Sequence, residues 1–227
     1  MSLSRSPGRA TGAAGLAHVV LLLAGFTIAM PSVLHDSPPA ELRDFYVDGA
    51  EAMIFAGGYV ECVALLLFLP FAAGLHRRLR DREPRHGSAA ATARMAAVCY
   101  VTIGLAPGMS AAAAAVYLGH RGVEDPALLA LATNLRSFSY FLSLLALSLF
   151  LVAVAVSAWR SGALPRGMSG SAAVLGIVLA AAVTRATGGW SDLVTLAVLV
   201  WLVAVSVWLL TRRGPARVQE PARQAVA

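Results

Sequence analysis

Six apolar runs, each about as long as a bilayer is thick, punctuate this chain of 227 residues. A helix needs roughly 20 predominantly apolar residues to cross the hydrocarbon core. The runs cover about 11–34 and 52–75, lie within 89–118 and 127–158, and continue at 171–187 and 193–211, the fifth being short. Nothing between them is long enough to be a domain. The expected fold is therefore all-α: a polytopic membrane helix bundle with about six transmembrane helices. Residues 1–211 form its single domain, and a basic tail, 212–227, is expected to be disordered.

Composition excludes the soluble alternative. Hydrophobic residues make up 58% of the chain and charged residues 13%. Ordinary soluble domains are about 25% charged. The net charge is +6, but the basic residues cluster at the ends of apolar runs, as the positive-inside rule requires. That placement argues against nucleic acid as a partner. All of the basic residues are Arg, in an Ala-rich chain. This points to a GC-rich bacterial genome, and so to the bacterial inner membrane.

Arg placement also predicts orientation. Arg5 and Arg9 precede the first run. Arg77, Arg78, Arg80, Arg82 and Arg85 follow the second, Arg160 and Arg166 the fourth, and Arg212, Arg213, Arg217 and Arg223 the sixth. The intervening loops are acidic or mixed, with Asp36, Glu41, Asp44, Asp48 and Glu51 in one and Glu124 and Asp125 in the next. Both termini are therefore expected in the cytoplasm. The first run is longer than a signal-peptide core of about 7–15 residues and lacks a clear cleavage site, so it reads as a retained span. The stretch from Ala40 to Tyr46 reads as a short interfacial turn. Gly188, Gly189, Trp190, Ser191 and Asp192 read as a tight helical hairpin.

Small residues mark the expected packing faces. Gly104 and Gly108 form a GxxxG pattern around Pro107, and Gly57 and Gly58 do similar work in the second run. Such residues let helix backbones approach closely in lipid. Pro107 removes a backbone donor and predicts a kink. Packing within one chain is the plain reading; a hinge or a dimer seam is the alternative. Cys62 and Cys99 show no metal or disulfide spacing and read as small buried hydrophobes.

Ionisable groups inside a bilayer are costly, by roughly 2.5–3.5 kcal/mol on insertion scales. Glu61 stands out, about 22 Å from the inner boundary at 1.5 Å per residue. Two cations are candidate partners. Arg185 lies about 20 Å from the inner boundary, while Arg136 matches Glu61 when counted from the outer side but lies about 34 Å from Trp159. Glu61 is expected to pair with one of them. Tyr140 and Ser143 follow Arg136 at helical spacing, with Asn134 and Ser139 nearby, and form a polar stripe. This stripe either lines a cavity or hydrogen-bonds between helices. Binding candidates are thus Glu61, Arg136, Tyr140, Ser143 and Arg185. His18 lies in the inner half of the first run without an evident partner. His35 and His120 sit at outer ends and read as surface residues.

Gly167-Met168-Ser169-Gly170 matches the GxSG of intramembrane serine proteases, but no histidine follows His120 and the match lies at a loop. No phosphate loop, HExxH or paired carboxylates are present. No enzyme activity, cofactor or metal is expected.

The segment from Leu135-Arg136-Ser137-Phe138-Ser139-Tyr140 to Ser157-Ala158-Trp159-Arg160-Ser161-Gly162-Ala163-Leu164-Pro165, with a Leu-rich second span ending in Arg, resembles bacterial six-helix membrane proteins of unassigned function. The resemblance implies a fold and a compartment, and no activity. Three functional readings follow. The first is a non-enzymatic bundle, a scaffold or partner of another membrane protein or of itself. The second is a small-solute or proton-coupled transporter with its site near Glu61, Arg136 and Tyr140. The third is a haem- or metal-binding redox protein using His35 and His120.

Overall fold

The computed structural model describes residues 7–29, 33, 36–82, 88–184 and 190–212, and every regular element among them is helical. Lipid offers the backbone no hydrogen-bond partners, so a spanning segment must satisfy its own N–H and C=O groups, as a helix does. The elements in chain order are α1 (Pro7–Ala29), α2 (Pro39–Tyr46), α3 (Glu51–Arg80), α4 (Ala89–Ile103), a π-helical stretch (Gly104–Met109), α5 (Ser110–His120), α6 (Pro126–Ser161), α7 (Arg166–Val183) and α8 (Trp190–Thr211). Six helical segments are long and apolar enough to cross a membrane, with α4, the π stretch and α5 counting as one. The six expected spans are thus present. Arg185, His35 and the tail from 213 onward lie outside the described residues.

Local chemistry sets the element ends. Asp125 Oδ1 accepts from the Ala127 amide at 2.9 Å, and Pro126 opens α6. Gly162, at φ 61°, stops it in the left-handed conformation that glycine adopts most easily. Pro165 then precedes α7, so the fifth span begins at Arg166, earlier than its apolar run. The interfacial turn read from the sequence is the amphipathic helix α2, with Leu42 and Tyr46 buried.

Pro107 sits inside the π stretch Gly104–Met109, with right-handed helical backbone at both flanks. Where the sequence predicts a kink, the chain adds a wider turn. A π turn absorbs a residue that breaks the regular ladder and commonly marks a special position. The two glycines pack within the chain. A Cβ on Gly104 would stand 3.0 Å from Leu65 Cδ1 of α3, and one on Gly108 would stand 3.6 Å from Ser139 Cβ of α6. Gly57 is a close-approach glycine too, but Gly58 has no neighbouring atom within 4 Å and does no packing.

α1 packs chiefly against α3 and α8, and α6 against α4 and α7. Phe68, Phe71, Tyr100 and Phe150 make tilted and edge-on ring contacts in the core, with Phe68 4.9 Å from Tyr100 and 5.2 Å from Phe150. α2 closes one end by laying Leu42 and Tyr46 over Ala115, Val116 and Leu129. Arg43 ties this cap to Glu124 at 2.9 Å and to Asp48 at 3.4 Å. We call this the carboxylate end. The arginine end holds Arg77, Arg78, Arg80, Arg82, Arg160 and Arg212, and there the start of α1 meets the end of α8, Gly8 lying near Leu209 and Gly12 near Ser206.

Candidate functional site

Glu61 is placed by the register of α3. Gly57, Glu61, Ala64 and Phe68 share one buried face, while Tyr59, Val63 and Leu66 are exposed where lipid would lie. The buried face meets α1 at Gly25. A Cβ on Gly25 would stand 2.9 Å from the Gly57 carbonyl oxygen and 3.0 Å from the Glu61 amide nitrogen. The missing side chain at Gly25 therefore leaves the space that Glu61 fills. Glu61 is 7% exposed.

Arg136 of α6 lies within electrostatic range of Glu61. None of the ion pairs among the described residues includes either group. With Arg136 the interaction is thus longer-range than a direct pair, and the other candidate partner, Arg185, lies outside the described residues. α6 has 36 residues; at 1.5 Å per residue it is about 54 Å long and overhangs a bilayer, so counts from its two ends give different depths for Arg136.

Tyr100 of α4 joins this group, with Glu61 and Tyr140 both within electrostatic range of its hydroxyl. The Tyr140 hydroxyl reaches Thr195 Oγ1 of α8 at 3.5 Å, and Thr195 donates to the Ser191 carbonyl at 2.7 Å. The rest of the polar stripe turns back on α6. Ser143 donates to the Tyr140 carbonyl at 2.7 Å and Ser139 to the Leu135 carbonyl at 2.6 Å. Side chains from α3, α4, α6 and α8 are therefore linked in one chain of interactions, while the Ser143 hydroxyl bonds within its own helix.

His18 is the residue whose role sequence reasoning missed. It is 1% exposed, and its ring lies 5.0 Å from Phe68 and 6.2 Å from Tyr100. Nδ1 stands 2.7 Å from the Ala64 carbonyl oxygen. A carbonyl only accepts, so Nδ1 carries a proton. In the neutral ring Nε2 is then a bare acceptor, and it has no hydrogen-bond partner among the described residues. One signal did exist: His18 lies seven residues before Gly25, on the same face of α1. The register of α1 against α3, which sequence does not carry, was needed to use it.

An open cleft of about 610 Å³ lies at the carboxylate end, between Ala29 of α1, Glu41 and Asp44 of α2, and Met53 and Ile54 of α3. Beyond Ala29 the seam between α1 and α3 narrows to the close approach of Gly57 to Ala29 and Gly25. Glu61 lies one further turn along the same seam. His120 is engaged locally, with Nδ1 3.0 Å from the Val116 carbonyl oxygen and Nε2 3.9 Å from Glu51. Among the described residues no three His, Cys, Asp or Glu side chains group as a metal site. Cys62 is half-buried and Cys99 exposed; both are free.

No curated protein and no solved structure matches the chain. A family model does, and it spans the whole bundle from the first turns of α1 to the end of α8, with Glu61, Arg136 and Tyr140 inside it. Over residues 10–212 the sequence fits the family described as a domain of unknown function (DUF4386), and the chain belongs to that family.

Proposed function

We propose that this is a non-enzymatic membrane bundle that binds and releases a proton at Glu61, coupled to the passage of a small polar solute. One observation carries the reading: a buried carboxyl lies within electrostatic range of Arg136 and Tyr100 yet enters no ion pair among the described residues. A buried charge pair kept for stability gains little over apolar packing, and a half-satisfied polar network is worse than an apolar core. Ionisable residues at such depth mark proton and ion pathways in membrane proteins. An open cleft lined by Ala29, Met53 and Ile54 lies at the same end of the α1–α3 seam.

By the positive-inside rule the arginine end faces the cytoplasm, with both termini, and the cleft faces outward. The all-Arg, Ala-rich composition supports a bacterial inner membrane. Infrared difference spectroscopy of the protein in nanodiscs during a pH titration tests the site. A carboxyl band that appears on acidification and is missing in Glu61→Gln supports the reading; identical spectra for the two proteins refute it.

A second reading is a static scaffold, partnered by another membrane protein or by a second copy. The tight Gly25–Gly57 seam favours it, because close backbone approach is how helices lock together in lipid. It predicts that Glu61→Gln changes nothing but stability.

A further inference from the structure

The arginine end carries a separate cluster built on Trp208. Arg78 comes from the last turn of α3, and Arg212 follows α8 directly. Each guanidinium carbon stands 4.5 Å from the centre of the Trp208 ring. Two groups at that distance from one point cannot be farther apart than twice it, so two cations share one aromatic platform. Arg82, one turn beyond Arg78, and Arg212 both act electrostatically on Arg78. Arg78 is half-buried and held in place by its Nε, which donates to the Ala163 carbonyl at 3.3 Å. None of the ion pairs among the described residues includes Arg78, Arg82, Arg212 or the neighbouring exposed Asp81.

An indole face attracts a cation, and carbonyls at a helix C-terminus attract another. Either effect accounts for one arginine on its own helix. Neither accounts for two arginines from α3 and the end of α8 on one ring, with a third one turn away and no ion pair to a carboxylate among the described residues, because like charges so close repel. A bound anion removes that penalty. Planar guanidinium donors match phosphate oxygens in pairs. The cluster also lies at the ends of two spanning helices, where an interfacial Trp marks the headgroup level. We propose that Arg78 and Arg212, gathered on Trp208, together with Arg82 one turn beyond Arg78, bind the phosphate of an anionic phospholipid in the adjacent leaflet.

The full-length protein in neutral detergent is titrated with phosphatidylglycerol or phosphatidylcholine of matched chains, and retained lipid is counted by native mass spectrometry. Wild type retains phosphatidylglycerol preferentially. Arg78→Gln and Arg212→Gln each lower that retention about five-fold, the effect of one interfacial arginine, and leave phosphatidylcholine unchanged. Arg160→Gln removes a charge from the same end outside the cluster and has no effect. Arg212→Gln, at an exposed helix end, keeps the test open if Arg78→Gln does not fold. Equal loss in Arg160→Gln overturns the site in favour of diffuse attraction. Displacement of phosphatidylglycerol by millimolar inorganic phosphate overturns the lipid as its ligand.

Discussion

The side chain of Glu61 on α3 lies in the gap left by Gly25 on α1, and no ion pair among the described residues neutralises it. Spanning helices have little hydrophobic force between them, so their register is set by such fits of small residue against large. The bundle therefore positions its buried carboxyl by shape, and leaves its charge to be balanced at a distance by Arg136.

Adding a methyl group at this contact should break it. Gly25→Ala is expected to destabilise the bundle by about 1–3 kcal/mol, the usual range for overpacking. Gly58→Ala, on the same helix turn as Gly57 but with nothing within 4 Å of its would-be Cβ, should leave the melting temperature in detergent unchanged. Equal melting temperatures for the two variants would remove the close-approach argument.

Glu61 and Arg136 should be energetically coupled. Removing Arg136 alone strands a carboxyl in the bundle, whereas removing both charges does not. In a double-mutant cycle of Glu61→Gln and Arg136→Gln, the expected coupling is about 0.5–3 kcal/mol, the range for groups in one network. Strict additivity would mean that the two do not sense each other.

His18 should be dispensable for folding. Its ring is surrounded by Phe68 and Tyr100, and its bare Nε2 is an unsatisfied buried atom. An unsatisfied polar atom costs about 1–3 kcal/mol, so His18→Phe should match or exceed wild-type thermal stability while altering any proton-linked activity. A large loss of stability would assign His18 a structural role through its bond to Ala64.

The α2 cap should loosen in acid. The Arg43 guanidinium, through its hydrogen bond and charge, holds the Glu124 carboxyl below its ordinary value of 4.5. A depressed folded-state pKa gives stability that is present above the unfolded value and lost as pH falls through the folded one. Amide exchange in Pro39–Tyr46 should therefore accelerate below about pH 4.5, modestly because both side chains are half exposed. Arg43→Gln should abolish this pH dependence.

The six spans were legible because hydropathy depends on one segment at a time. The partners of Glu61 were only partly legible. Arg136 was named, but its distance depends on the overhang of a 36-residue helix, which no count from one end supplies. Tyr100 and His18 were not placed because their roles need the register of three helices. Ser143 was read as part of a polar stripe because spacing reports a face and not a bond; its hydroxyl binds the Tyr140 carbonyl on its own helix. The break in the helical ladder at Pro107 was legible from the proline alone; that it takes the form of a π turn was not.

Proton flux tests the account most directly. Full-length protein is reconstituted into liposomes with a trapped pH-sensitive dye, and a membrane potential is imposed across a library of small polar solutes. The account predicts solute-dependent acidification or alkalinisation that is lost in Glu61→Gln and kept in Gly58→Ala. Flux that is the same in wild type and Glu61→Gln, or no different from empty liposomes for every solute, contradicts it.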